Sequence, residues 1–200
     1  TLVLYVLAVD RSGTTPARIL GGTHGTLVVD GYTGYNKVTD PGGRTRAGCW
    51  SHVRRKFFEA MPTAPSEAVH AIELIRELFR VEHDATEANI VASPAHLSMR
   101  HDRSKPILEK FFAWADETLP AALPRSPLGE ALAYATHQRG TLMHFMSDAN
   151  VPIHNNLSEG RLRVIALARH TYLFFGHPQA GKNFAGLYSL VGSCIANHVE

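Results

Sequence analysis

The stretch TLVVDGYTGYN, residues 26–36, decides the fold that the rest of the chain must complete. It opens as an apolar, β-branched run typical of a buried strand and ends on Asp30. Gly31 and Gly34 follow and let other groups approach closely. A carboxylate there lies at the carboxyl edge of a sheet, where α/β proteins bind ligands. The alternative is that Asp30 only begins a turn, which this segment taken alone favours.

Two further strands and two helices are predicted around this stretch. The run LVLYVLAV at residues 2–9 has the pattern of a strand buried on both faces. Residues 16–20 predict a short helix, RAGCW at residues 46–50 predicts a short strand, and residues 52–60 open another helix. Because Thr1 lies at the edge of an apparent strand, we expect further sequence upstream.

Beyond residue 60 the pattern becomes helical and then mixed again. Apolar residues recur at helical spacing up to residue 148, and Ser126 before Pro127 marks one helix start. The predicted closing elements are a helix at 156–169, a strand at 171–175 and a last helix capped by Asn183. We therefore predict an α/β domain split by an α-helical insertion, with core segments at 1–60 and 151–200 and the insertion at 61–150.

Composition limits the class of protein. The 200 residues are 44% hydrophobic, which is enough to bury a core and excludes a disordered chain. A net charge of +2 permits a nucleic-acid partner without requiring one. Two cysteines do not make a disulfide scaffold, so a reducing compartment is expected. No segment is long and apolar enough to span a membrane, which predicts a cytoplasmic protein with no membrane partner.

Glu159 is the second candidate acid. It lies in NNLSE, where Asn156 as N-cap and Glu159 at the third helical position form a capping-box pattern. That local role would stabilise the helix by about 1 kcal/mol and explains Glu159 if the segment is taken alone. A carboxylate at a helix start can also face a metal ion if the helix packs beside Asp30.

Cys49 and His52 are three residues apart and follow the predicted strand at 46–50. Zinc sites need at least three protein ligands, and no second pair stands at a matching spacing. We therefore expect Cys49 to be buried at a strand end and His52 to lie near the acids.

Basic residues follow both acidic motifs, which favours contacts with DNA phosphates over the usual solvated helix face. The predicted DNA-binding residues are Arg54, Arg55, Lys56, Arg161, Arg163 and Arg169.

Five motifs occur in one order along the chain. They are VDGYTGYN at 29–36, CWSHVRRKF at 49–57, NNLSE at 155–159, YLFFG at 172–176 and GLYSL at 186–190. Together they resemble the insertion-sequence-66 family of bacterial transposases over almost the whole chain.

The resemblance implies an RNase H-like fold and a DDE site, in which two Asp and one Glu hold Mg²⁺ or Mn²⁺. Asp30 matches the second acid and Glu159 the third, and the pair Cys49 and His52 matches a CxxH element that supports the site. The implied activity is DNA cleavage and strand transfer at transposon ends and target DNA. The implied setting is a homo-oligomer in the bacterial cytoplasm, associated with the nucleoid when bound to DNA.

Three positions depart from the family pattern. The first Asp of the family stands on a strand upstream of residues 2–9, and Asp10 falls in the following turn. His154 stands where the family has Asp, and Gly160 where it has Arg. We therefore expect weak metal binding and little strand transfer from this chain alone.

Two other functions stay open. One is a catalytically inactive remnant that keeps DNA binding or assembly. The other is an RNase H-like nuclease without transposition, which the full set of transposase motifs disfavours.

Overall fold

The computed structural model describes residues 1–8, 10, 12–39, 43–168 and 176–199. Within them the protein is α/β, with helices far outnumbering strands. The helices are α1 (Thr14–Leu20), α2 (Asn36–Thr39), α3 (Trp50–Ala60), α4 (Pro65–Glu87), α5 (Pro94–Met99), α6 (Lys105–Thr118), α7 (Pro127–His137), α8 (Arg139–Met143), α9 (Asn156–Ala168) and α10 (Pro178–Ala196).

The described residues contain one sheet of two parallel strands. Strand β1 (Thr26–Val28) pairs in register with β2 (Thr45–Ala47), so that Val28 stands beside Ala47. Both strands were predicted, although each is shorter than expected. Parallel pairing brings the two carboxyl ends to the same edge, which places the segments after Val28 and Ala47 next to each other.

The prediction of a buried strand at residues 2–9 is wrong for the described part, residues 1–8. This segment is irregular and lies along α10, where Ser193 Oγ accepts the Val3 N–H (3.0 Å) and Ser189 Oγ accepts the Tyr5 N–H (2.8 Å). Leu2 is 84% exposed. An apolar run becomes a strand only where another strand supplies its hydrogen bonds, and here serine hydroxyls supply them.

The predicted helical character of residues 61–148 is confirmed by α4 to α8. Helix α3 packs against both α4 and α7 around one apolar core. Trp50 and Phe57 of α3 stand at its centre, with Phe111 of α6 at 5.2 and 6.0 Å between ring centroids. All three rings are fully buried, so this core fixes the helix that carries His52.

A one-turn π-helical segment, Arg100–Ser104, joins α5 to α6 and buries an arginine. The Arg100 guanidinium donates to both carboxylate oxygens of Glu82 (2.8 and 2.6 Å). It also donates to the carbonyls of Phe145 (2.7 Å) and Asp148 (3.1 Å). Arg100 therefore ties the helical block to the chain that leads towards α9.

Two predicted helix starts have different outcomes. Ser126 caps α7, because its Oγ accepts the Gly129 N–H at 3.0 Å, as predicted. Asn183 does not begin the last helix. Helix α10 begins five residues earlier, at Pro178, and the His177 Nδ1 accepts the Gln179 N–H. The predicted strand at 171–175 lies outside the described residues.

No helix in the described part of the chain is both long and apolar enough to cross a membrane.

Candidate active site

Asp30 lies two residues beyond the end of β1, at the carboxyl edge of the sheet. Its Oδ1 accepts the Tyr32 N–H at 3.1 Å, which forms a short turn closed by the side chain. Its Oδ2 is left for other contacts, and the side chain is 38% exposed. Both interpretations of Asp30 are therefore compatible, because one oxygen supports the turn while the other faces the site.

Gly31 allows an aromatic ring from the helical block to approach the site. The Tyr134 hydroxyl of α7 accepts the Gly31 N–H at 3.0 Å. A Cβ at position 31 would lie 2.5 Å from a carbon of that ring, which is too close for any side chain. Burial raises the pKa of the Tyr134 phenol and the charge on Asp30 raises it further, although the hydrogen bond with Gly31 acts the other way.

His52 is held at the start of α3, directly after β2. The Trp50 N–H donates to the Ile153 carbonyl (3.0 Å), and the Trp50 indole donates to the Leu142 carbonyl (3.0 Å). Gly48 N–H donates to the Thr141 carbonyl (2.8 Å). These bonds anchor the turn between β2 and α3 on both the helical block and the segment before α9.

Glu159 stands in the first turn of α9 and meets His52. Its Oε1 is 3.1 Å from His52 Nε2, and Asp30 Oδ2 is 3.9 Å from the same nitrogen. The structure therefore brings together the two acids and the histidine that the sequence singled out, from three separate parts of the chain. His52 is nearly buried, whereas the Glu159 side chain is 46% exposed and reachable from solvent.

Cys49 lies beneath His52 and is 1% exposed. Burial would raise the pKa of its thiol, but hydrogen bonds from the His52 side chain and from the backbone of Asn155 and His52 outweigh burial and lower the pKa. The pKa of His52 is raised, first by the Cys49 side chain and then by Glu159 and Asp30, against the effect of burial. His52 Nδ1 is buried and makes no hydrogen bond of regular geometry with the described residues.

The predicted capping box is not among the described contacts. Asn156 is the first residue of α9 rather than the residue before it, and the Glu159 carboxylate is directed to His52. His154 takes a structural role instead. Its Nδ1 accepts the Asn156 N–H at 3.3 Å, and its ring stacks on Phe79 at 5.6 Å. His154 thus accepts a hydrogen bond from the first residue of α9.

The basic residues do not form one patch. Arg54 and Arg55 are exposed on α3, whereas Lys56 lies over the Tyr134 ring at 5.1 Å, on the side of the acids. On α9, Arg163 is exposed and Arg161 is half-buried. Arg169 lies outside the described residues.

Arg46 is a site residue that sequence reasoning missed. From β2 its guanidinium donates to the carbonyls of Asp30 (2.6 Å) and Tyr32 (2.8 Å) and to Asn36 Oδ1 (2.8 Å). It therefore shapes the loop that carries Asp30. The one signal in the sequence was that Arg46 places a charge inside the short strand predicted at residues 46–50.

The donor set suits a hard cation. Two carboxylates with accessible oxygens are the ligands that Mg²⁺ uses when waters and substrate phosphates complete its octahedron. Among the described residues no group of three or more His, Cys, Asp or Glu side chains is arranged to hold a metal ion. Asp30 and Glu159 offer two carboxylates of this kind, with side chains 38% and 46% exposed.

Comparison with known proteins defines the class. The family model described as Transposase IS66 family matches residues 1–183, and the chain belongs to this family of transposases.

Three relatives from Sinorhizobium fredii (strain NBRC 101917 / NGR234) cover nearly the whole chain. They are the uncharacterized proteins y4qI (31% identical over 100% of the chain), y4jD (27% over 94%) and y4hP (26% over 98%). The chain spans 38% of the length of each of these relatives. No solved structure matches the chain.

Proposed function

We propose that this chain supplies two of the three carboxylates of a DDE transposase, which cleaves transposon ends and joins them to target DNA. The observation that supports the proposal is the convergence of Asp30 and Glu159 on His52 Nε2. The proposal includes an RNase H-like core at residues 1–60 and 151–200 with a helical insertion at 61–150. It also includes a homo-oligomer acting on DNA in the bacterial cytoplasm.

In this proposal Asp30 and Glu159 would hold Mg²⁺ or Mn²⁺ at the site of DNA cleavage. When bound, the metal would make the attacking water or 3′-hydroxyl more acidic and would stabilise charge on the leaving oxygen. His52 is a positioning residue that fixes the Glu159 carboxylate, and Cys49 supports the imidazole from below. Arg54, Arg55 and Arg163 contact phosphates, because they are exposed on α3 and α9, the two helices that carry His52 and Glu159.

Metal binding by the chain tests the acids directly. We expect weak Mn²⁺ binding, measured by electron paramagnetic resonance, to be lost in Asp30→Asn and in Glu159→Gln. Glu117→Gln removes an exposed acid of α6 and serves as the control. Unchanged Mn²⁺ binding in both site variants would contradict the assignment of the acids.

DNA cleavage tests the activity in the full-length protein. Glu159→Gln is expected to reduce cleavage of transposon-end DNA by about a hundredfold or more while DNA binding persists.

An inactive remnant is the second candidate, and the observation in its favour is that His154 and Gly160 replace the residues usual in the family. A full-length protein with intact acids that binds DNA but never cleaves it with Mg²⁺ or Mn²⁺ would establish the remnant instead.

A further inference from the structure

A groove of about 660 Å³ runs between α3 and α4 and reaches the start of α9. Its walls combine cationic and aromatic side chains. They are Arg54, Arg55 and Phe58 from α3 and Arg76 and Phe79 from α4, with Asn156 at one end. Two of these residues, Arg76 and Phe79, come from the predicted insertion, which the sequence motifs had not connected with DNA.

The groove carries positive charge that is available to a ligand. Arg54 has no ion pair with any described residue. Arg55 and Arg76 each have an acidic neighbour on their own helix, Glu59 and Glu73, but both contacts are 3.8 Å long and well exposed. Such pairs hold their arginines weakly, because solvent screens the attraction and the side chains stay mobile. Phosphates can therefore compete for all three guanidinium groups.

Phe58 places an aromatic ring among these arginines. It is 64% exposed, although its neighbour Phe57 is fully buried. A single exposed apolar residue is ordinary on protein surfaces. Here, however, the ring lines a groove between guanidinium groups, which is the combination that single-stranded nucleic-acid sites use to stack bases and hold the backbone. The second ring, Phe79, is already stacked on His154.

The groove adjoins the segments that carry His52 and Glu159. Ser51 on its wall is the residue before His52, and Asn156 begins the helix turn that carries Glu159. A strand lying in the groove is therefore in contact with the segments that carry His52 and Glu159.

We propose that this groove binds an unpaired stretch of DNA, with phosphates on Arg54, Arg55 and Arg76 and a base stacked on Phe58. The face of a base is free only when the base is unpaired or unstacked, so Phe58 discriminates single strands from duplex. That the ligand is DNA rests on the proposed function, whereas the groove and its chemistry do not.

Fluorescence anisotropy on the 200-residue chain tests the groove. The probe is a labelled oligothymidylate of about 12 nucleotides, which is within the site sizes of single-strand grooves. We expect Phe58→Ala to weaken binding of this probe at least about fivefold and binding of a duplex less than twofold. Arg76→Gln is expected to weaken both and to reduce the salt dependence of single-strand binding by about 0.7 in the log–log slope.

Matched variants separate stacking from general apolar contact. Phe58→Trp should keep the affinity of the wild type, whereas Phe58→Leu should behave like Phe58→Ala, because leucine has no flat face. If Phe58→Ala fails to fold, the difference in single-strand affinity between Phe58→Trp and Phe58→Leu tests the stacking by itself. Leu123→Ala, an exposed apolar residue outside the groove, should change nothing.

Three results would overturn the groove assignment. They are a single-strand affinity that Phe58→Ala leaves unchanged, equal losses of single-strand and duplex affinity in Phe58→Ala, and tighter binding of an RNA of matching sequence than of the DNA probe. The cleavage assay is independent of this one. If single-strand binding depends on Phe58 but the full-length protein does not cleave DNA with Mg²⁺ or Mn²⁺, the proposed function alone is rejected. If the protein cleaves DNA but single-strand binding does not depend on Phe58, the assignment of the groove alone is rejected.

Discussion

At the scale of single residues, the site depends on His52. It is nearly buried, and its Nε2 faces two carboxylates from distant parts of the chain. The Cys49 side chain, and after it the charges of Glu159 and Asp30, favour the protonated imidazole and raise the pKa of His52 against the effect of burial. The same contact orients the Glu159 carboxylate.

Glu159→Gln is expected to lower the pKa of His52, because it removes a negative charge 3.1 Å from Nε2. The pKa is measured by NMR titration of the imidazole carbon-bound proton, assigned by its loss in His52→Gln. Asp30→Asn should have a smaller effect, since its oxygen is 3.9 Å away. An unchanged titration in Glu159→Gln would contradict the contact.

The raised pKa of His52 makes the free energy of unfolding depend on pH. The pKa of His52 in the folded protein lies above the ordinary histidine value of 6.5, so protonated His52 stabilises the fold fully below about pH 6.5. That contribution is lost as the pH rises through the raised pKa. The stability difference between wild type and Glu159→Gln should therefore be larger at pH 6 than at pH 9, as measured by urea unfolding.

At the scale of elements, short segments position the site through long-range bonds. The turn between β2 and α3 is bonded to α8 and to the segment before α9, so the helical block supports the acids as well as the core. The π-helical segment contributes in the same way. Arg100 joins α4 to the carbonyls of Phe145 and Asp148, shortly before the chain reaches His154.

Arg100→Met is expected to destabilise the fold by about 3–5 kcal/mol, because it removes the guanidinium that neutralises Glu82 and leaves His96 Nε2, at 3.3 Å, as the buried partner of this carboxylate. Urea unfolding followed by circular dichroism measures the loss. The matched control is Arg103→Ala in the same π-helical segment. Its ion pair with Asp84 is exposed and screened by solvent, so a much smaller loss is expected. Equal losses in the two variants would refute a special role for Arg100.

At the scale of the whole molecule, the described residues form a buried apolar core and, at one edge, a surface with many exposed apolar side chains. The core around Trp50 and Phe111 is fully buried, whereas α9, α10 and residues 1–8 expose large apolar side chains such as Leu162 and Leu187. Contacts between residues 1–8 and α10 run mainly through serine hydroxyls, with Gly192 against the Val3 side chain. We therefore expect local opening to be easier at this edge than in the core.

The double variant Ser189→Ala and Ser193→Ala should release residues 1–8 from α10. It removes the acceptors of the Val3 and Tyr5 backbone N–H groups, which have no strand partner. Hydrogen exchange of these two amides, followed by NMR, is expected to accelerate strongly while that of Phe57 stays slow. Ser158→Ala on α9 is the control. Protection unchanged at both Val3 and Tyr5 would show that apolar contacts alone hold the segment.

Sequence alone determined the local features of this protein. The acid after β1, the CxxH spacing at the start of α3, the Ser126 cap and the helical periodicity of residues 61–148 are all encoded by neighbours within a few positions. The five short motifs that resemble the transposase family, and their order along the chain, are likewise visible in the sequence. Such features depend on backbone preference and on which face is apolar, and both can be inferred from short windows.

Only the tertiary structure decided which distant groups meet. It brought Asp30 and Glu159 to one nitrogen of His52. It also placed the Arg46 guanidinium against the carbonyls of Asp30 and Tyr32, and Lys56 over the Tyr134 ring. It also laid residues 1–8 on α10, because an apolar run specifies burial but not the partner of its backbone N–H groups. The two acids, each explained locally by a turn or a helix start, become a shared site because parallel strands and the helix core bring their segments to one edge.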